Sequence, residues 1–192
     1  MLPGGLIVDG GQGRRLGSVH KASLLVSGRT IAERTVAVLR EDCGEILAAS
    51  PHAELWRRLG VRCVADAVAG AGPLGGIAAG LCASGSELVV TVAADMPCLS
   101  PAVLRELVAR ALAAGTSAVP VRAGRPEPLH AVYLARDGGA AIEALSAGAR
   151  KLTDWLARVQ VEWVDADELA LLPGAAHTFD NVNGPEDLAA LP

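Results

Sequence analysis

The sequence predicts a three-layer α/β/α, Rossmann-like fold with a mostly parallel sheet, and three observations carry that prediction. Short apolar runs alternate with longer amphipathic segments along the whole chain. The run from Leu88 to Ala94 is apolar almost throughout, which marks a central parallel strand buried on both faces. Glycine-rich stretches at 10–17 and 70–76 interrupt this alternation. At 192 residues, 51% of them hydrophobic and 20% charged, the chain suits one domain spanning 1–192 with ample material for a core.

The elements follow in order. Gly5 to Val8 is a brief buried strand opening into the first glycine-rich stretch. Thr30 to Arg40 carries Ile31, Val36, Val38 and Leu39 on a helical pattern, and Glu45 to Ala49 is the next strand. Ala53 to Leu59 is a short helix and Val61 to Val64 a third strand. The second glycine-rich turn, Gly70 to Gly76, leads into an alanine-rich helix ending near Ala83. After the strand at Leu88, a helix starts at Ser100-Pro101, where Ser can cap and Pro suits the first helical position, and runs to about Ala114. Strands at Ser117 to Val121, Leu129 to Leu134 and Val161 to Val164 alternate with helices at Gly138 to Ala147 and Leu152 to Arg158. Pro185 to Leu191 closes the chain as a short helix.

Composition narrows the function classes. A net charge of −4 and an aromatic content of 3% disfavour a surface that wraps polyanions or stacks bases, so no nucleic-acid partner is expected. No apolar run approaches the roughly 20 residues of a membrane span, and the first residues lack the pattern of a signal peptide. Cys43, Cys63, Cys82 and Cys98 are scattered without a C-x-x-C pair, which suits buried thiols in a reducing cytoplasm. These observations lead to the expectation of a cytoplasmic protein with no membrane partner.

Ligands of open α/β sheets bind beyond the carboxyl ends of the strands, so two segments matter most. Asp9 to Lys21 holds four glycines, whose backbone N–H groups can approach an anion unhindered, beside Arg14, Arg15 and Lys21. No G-K-[ST] ends this stretch, so it is not a Walker A loop. The acid that a dinucleotide fold would carry after the next strand is missing, since that strand ends in Ala48-Ala49-Ser50. The second segment, Asp95-Met96-Pro97, sets a carboxylate directly off the central strand. A carboxylate facing a cationic glycine loop suits Mg²⁺ held by few protein oxygens and by phosphate.

Five segments occur in the order of one family. They are Val8-Asp9-Gly10-Gly11 through Arg15-Leu16-Gly17 and Lys21, Asp66 with Gly72-Pro73-Leu74-Gly75-Gly76, and Asp95-Met96-Pro97. Arg125-Pro126-Glu127-Pro128-Leu129-His130-Ala131-Val132-Tyr133 and Asn181-Val182-Asn183-Gly184-Pro185-Glu186-Asp187-Leu188 complete the set. Across nearly its whole length the chain thus resembles the molybdenum cofactor guanylyltransferases of MobA type, within the broader nucleotidyltransferases. The resemblance implies GMP transfer from GTP to the terminal phosphate of molybdopterin or Mo-molybdopterin, with release of pyrophosphate and Mg²⁺ as cofactor. It implies a nucleotide site of Val8, Asp9, Gly10, Gly11, Lys21, Ser50, Asp66 and Asp95. Lys21, Arg15 and Asp95 would act in catalysis, with Asp95 on the metal. Asp66 could accept from guanine, or serve only as a turn residue at a strand end. Homo-oligomerisation and transient contact with other cofactor-biosynthesis proteins stay open. So do a cytidylyltransferase, a guanylyltransferase of another phosphorylated metabolite, and a non-catalytic nucleotide-binding homologue.

Three positions depart from the family pattern: Asp9 stands for a small residue, His20 for an acid, and Ser50 for Asn. A carboxylate at 9 about 6 Å from a phosphate would repel it by about 3 kcal/mol at an effective dielectric of 20. Asp9 must therefore turn away, bind metal, or weaken nucleotide binding. Asp9→Ala is therefore expected to tighten nucleotide binding, and calorimetry with GTP checks it.

Overall fold

The computed structural model describes residues 2–9, 20–66, 68, 70–189 and 191. Its main sheet has eight strands: β1 (Gly4–Val8), β4 (Glu45–Ala49), β5 (Arg62–Val64), β6 (Leu88–Ala93), β7 (Ser117–Arg122), β8 (Arg125–Pro126), β9 (His130–Leu134) and β10 (Val161–Asp165). They lie in the order β10-β7-β9-β6-β1-β4-β5, with β8 paired to β7. Pairings among β5, β4, β1 and β6 are parallel, as is β10 with β7, while β9 runs antiparallel to both its neighbours. The sheet is thus mostly parallel, as the sequence predicts.

Helices α1 (Ile31–Asp42), α2 (Ala53–Arg58) and α4 (Pro101–Ala114) cover one face. There Val36, Leu39, Trp56, Val103 and Leu107 pack with Ile7, Ala48, Val90 and Val92. Helices α3 (Pro73–Ala83), α5 (Asp137–Ser146) and α6 (Leu152–Leu156) cover the other, where Leu74, Ile77, Ala141 and Trp155 meet Leu6, Leu47, Val89 and Tyr133. Alternate residues of one strand feed the two cores, which is why β1 and β6 are buried at every position.

The helix starts follow local chemistry. Thr30 caps α1 and Glu33 returns the bond to the Thr30 amide, so Thr30 lies outside the helix that the apolar pattern began with it. Ser100 accepts from the Val103 amide with Pro101 at the first position of α4, and Gly115 closes that helix in the left-handed conformation (φ 66°). Pro73 likewise opens α3, which draws Gly75 and Gly76 into the helix rather than leaving them in the predicted turn. Three pieces escape the apolar pattern. They are the β2 (Leu25–Val26) and β3 (Arg29–Thr30) hairpin, the strand β8 and the short α7 (Ala166–Leu169). No single strand or helix among them exceeds four residues, too short for a period to register.

Helix α3 lies unusually close on β1. A Cβ at Gly76 would come within 3.0 Å of Ala49 Cβ and 3.3 Å of Val8 Cγ1, and one at Gly80 would overlap the fully buried Leu6 side chain. We expect Gly80→Ala to lose about 1–2 kcal/mol of stability in urea titration, because overpacking outweighs the roughly 1 kcal/mol of helix propensity gained. His130 supplies an acid-sensitive point: fully buried against Phe179, its imidazole is pushed down to about 3 by desolvation. The unfolded chain takes up that proton near pH 6.5, so between there and pH 3 stability falls as pH falls, by up to about 1.4 kcal/mol per pH unit. His130→Leu should therefore move the acid-unfolding midpoint down by roughly half a pH unit or more, followed by circular dichroism.

Candidate active site

Register decides where the chain's chemistry gathers. Val8 is level with Ala49 on one side and with Ala93 on the other. The residues that leave these three strands, Asp9, Ser50 and the pair Ala94-Asp95, therefore emerge side by side at the carboxyl edge. The Asp9 amide donates to Ala49 O (2.9 Å) and the Ala94 amide to Val8 O (3.1 Å), carrying the alignment past the strand ends. The connections on either side of β1 run to helices on opposite faces, so this edge is a topological switch point. A recess opens there among Val8, His20, Lys21, Pro73, Ala93 and Asp95. A more apolar groove, beside Leu2, Pro3 and Val38, sits at the entry of β1 instead, away from these charges.

Lys21 occupies the centre of the recess. Its ammonium donates to Asp95 Oδ2 (2.8 Å) and Asn183 Oδ1 (2.9 Å), with both charged side chains about one-fifth exposed. Asn183 arrives from the far end of the chain because the Val182 amide donates to the Asp95 carbonyl (3.0 Å) and Val182 itself is fully buried. The Asp187 carboxylate then accepts from the Asn183 and Gly184 amides, which holds it below the usual carboxylate range. Asn183 is the residue that sequence reasoning left without a role. The tail motif containing it was legible, but contact across 162 positions was not.

Asp9 lines this recess too, but its charge is taken up by protein donors. The carboxylate is buried and accepts from His20 Nε2 (2.8 and 2.9 Å to its two oxygens), Ser50 Oγ (2.5 Å) and Trp56 Nε1 (2.9 Å). Burial pulls its pKa up, but these donors together pull harder and leave it below the ordinary value. An ionised carboxylate only accepts, so His20 carries its proton on Nε2. The Asp9 carboxylate has turned to these donors, and the argument that its charge repels phosphate is corrected. The three positions that depart from the family pattern, Asp9, His20 and Ser50, are bonded to one another.

Ser50 is correspondingly committed: its hydroxyl donates to Asp9 and accepts from the His52 amide (2.9 Å). Asp66 lies beyond β5 near the start of α3, where its Oδ1 is 3.6 Å from where a Gly76 Cβ would stand. Partial burial raises its carboxyl above the ordinary value. Gly72, at φ 67° and ψ −155°, turns the chain into α3, whose first turn faces the recess through Pro73. Gly10, Gly11 and Arg15 fall outside the described residues. Asp95 and Asn183 offer a hard cation two oxygen ligands of the kind Mg²⁺ takes, already held around one positive charge. Among the described residues no group of three or more His, Cys, Asp or Glu gathers as a metal site.

Residues 5–163 match the model of the MobA-like NTP transferase domain. A probable molybdenum cofactor guanylyltransferase of Pelotomaculum thermopropionicum is 36% identical, covering 96% of this chain and 89% of its own. Another, from Chloroflexus aggregans, is 34% identical over 98% and 92%. Among solved structures, molybdopterin-guanine dinucleotide biosynthesis protein A from Archaeoglobus fulgidus superposes with a TM-score of 0.83 at 26% identity, covering 97% and 95%. The 2-C-methyl-D-erythritol 4-phosphate cytidylyltransferase of Thermus thermophilus shares the fold, with a TM-score of 0.73 at 24% identity over 99% and 97%.

The direction of the Asp9 carboxylate reverses the expected outcome of removing it. Asp9→Ala leaves the buried Trp56 indole N–H without an acceptor, a loss of about 1–3 kcal/mol. Denaturant titration should show that loss, and calorimetry should show weaker rather than tighter GTP binding.

Proposed function

Because the chain belongs to the MobA-like NTP transferases, we propose that it is a molybdenum cofactor guanylyltransferase that transfers GMP from GTP to the terminal phosphate of Mo-molybdopterin. The observation that carries this reading is the Lys21 ammonium bridging Asp95 and Asn183 at the carboxyl edge of β1 and β6. A cation held between two hard oxygens is what a site needs if it is to exchange that arrangement for a metal–triphosphate.

An oxygen of the acceptor's phosphate attacks the α-phosphorus of GTP in line, the α–β bridging P–O bond breaks, and pyrophosphate leaves. The attacking oxygen is already ionised near neutral pH, so no general base is required. Lys21, released from Asp95 and Asn183, neutralises phosphate oxygens as a mobile point charge. The first turn of α3 adds the positive end of a helix dipole to the same recess. Mg²⁺, when bound, would supply charge neutralisation across the phosphates and would be held by Asp95 with Asn183 beside it. Gly10, Gly11 and Arg15 would contribute backbone donors and charge to the triphosphate. Asp66 would accept from guanine N1–H and the exocyclic amine, whereas Ser50 would act through Asp9 and not on the nucleoside directly.

A cytoplasmic setting suits the four free cysteines. No helix among the described residues is long and apolar enough to cross a membrane.

Two substitutions test the assignment. Asp95→Ala should abolish guanylyl transfer, and Lys21→Ala should lower kcat/KM by about 10²–10³-fold, as loss of a charge aimed at the transition state does. Mg²⁺-dependent binding should rank GTP above CTP and ATP in calorimetry. A fully active Asp95→Ala protein would overturn the metal role, and preference for CTP would overturn the guanylyl assignment.

A further inference from the structure

Asp9 and His20 flank positions 10–19, and their side chains meet across that interval at 2.8 Å. The contact is more than a surface pair, since the two side chains are only 8% and 16% exposed. Nor is Asp9 free to follow His20, because Ser50 at the end of β4 and Trp56 on α2 hold the same carboxylate from behind. Trp56 is fully buried, which makes it a fixed post. On the other side His20 stacks against His52, with ring centroids 4.0 Å apart. Its carbonyl accepts from the Ser23 amide and the Lys21 carbonyl from the Leu24 amide, closing a tight turn whose middle residue, Ala22, is fully buried. Lys21 therefore leaves a backbone pinned on both sides: by the His20 side chain before it and by buried Ala22 after it.

We propose that Asp9, His20, Ser50 and Trp56 form a clasp that positions Lys21 for the nucleotide, with His20 as the member next to Lys21 and Asp9 as its anchor. The inference rests on the guanylyltransferase reading of the recess. The clasp gives a physical reason for finding an acid at 9, a histidine at 20 and a small hydroxyl at 50 together. The acid needs donors because it is buried, the imidazole reaches it across the loop, and a hydroxyl at 50 fits beneath while donating a proton. None of the four touches substrate in this account. They are positioning residues, and a change in His20 should be felt through Lys21, in GTP binding and in the chemical step alike.

The test compares full-length protein carrying His20→Ala, His20→Gln, Asp9→Asn, or Asp9→Asn with His20→Ala. His20→Ala should weaken Mg²⁺-dependent GTP binding about tenfold, some 1.4 kcal/mol, and raise the KM for GTP in step. At saturating GTP its kcat should fall as well, though by less than in Lys21→Ala, because the ammonium is displaced and not removed. His20→Gln, which restores a donor, should recover most of the loss. The double variant should bind no more than about twofold worse than the weaker single variant, since both changes break one network. The Trp56 indole N–H should exchange with solvent at least about tenfold faster in His20→Ala. A merely structural role would lower the melting temperature and the active fraction while leaving KM in place. That pattern, or GTP binding unchanged in His20→Ala, overturns the proposal. Should the unaltered protein bind no nucleotide, the function reading fails on its own. Hydrogen exchange then still decides the clasp: acceleration in His20→Ala supports it, and an unchanged rate overturns it.

Discussion

Parallel pairing of β4, β1 and β6 in one register is the constraint on which the rest of this molecule depends. With Ala49, Val8 and Ala93 level, the next residues of three separate segments must emerge at one edge, and two of them carry carboxylates. A slip of one residue in either pairing would turn alternate side chains to the wrong core and would part Asp9 from Ser50 or Asp95 from Lys21. The close seat of α3 on β1, which the glycines at 76 and 80 permit, brings the start of that helix to the same edge. Site geometry is thus inherited from core packing.

The edge gathers two carboxylates, and they are treated oppositely. Asp9 is buried and saturated with donors, so its charge is spent inside the protein. Asp95 is partly open and shares a single ammonium with Asn183, so its charge can be transferred to an arriving cation. A fully desolvated pair would have resisted separation, because each ion would be stranded at a cost of several kcal/mol. A fully exposed pair would have been worth little and would not have held its geometry. The partial exposure of Lys21 and Asp95 lies between those limits, which suits the exchange proposed for this pair.

The fold and its family were legible in the sequence for a shared reason. Burial on both faces of a parallel sheet forces apolar runs such as Leu88 to Ala93, and a phosphate site forces glycine and lysine at fixed spacing. Boundaries agreed around α4, where the Ser100 side chain caps the start and Gly115 closes the end in the left-handed conformation. The reading slipped where a local rule met a neighbouring element. Gly75 and Gly76 read as a turn in isolation, yet they are helical because Pro73 opens α3 ahead of them, and at Gly76 β1 and β4 leave little room for a Cβ.

The sequence by itself determined the α/β class and the order of the longer strands and helices, and it singled out Lys21 and Asp95 as candidates, because periodicity and motif spacing are properties of the chain read locally. Only the tertiary structure decided which way the Asp9 carboxylate points, that Ser50 is committed to it, and that Asn183 shares the Lys21 ammonium. Those outcomes depend on contacts between residues 41 and 162 positions apart, and on Trp56 supplying a buried donor from another helix. A charge is repulsive or harmless according to what surrounds it in space. Three substitutions that look like separate weaknesses along the chain become, once folded, one hydrogen-bonded group.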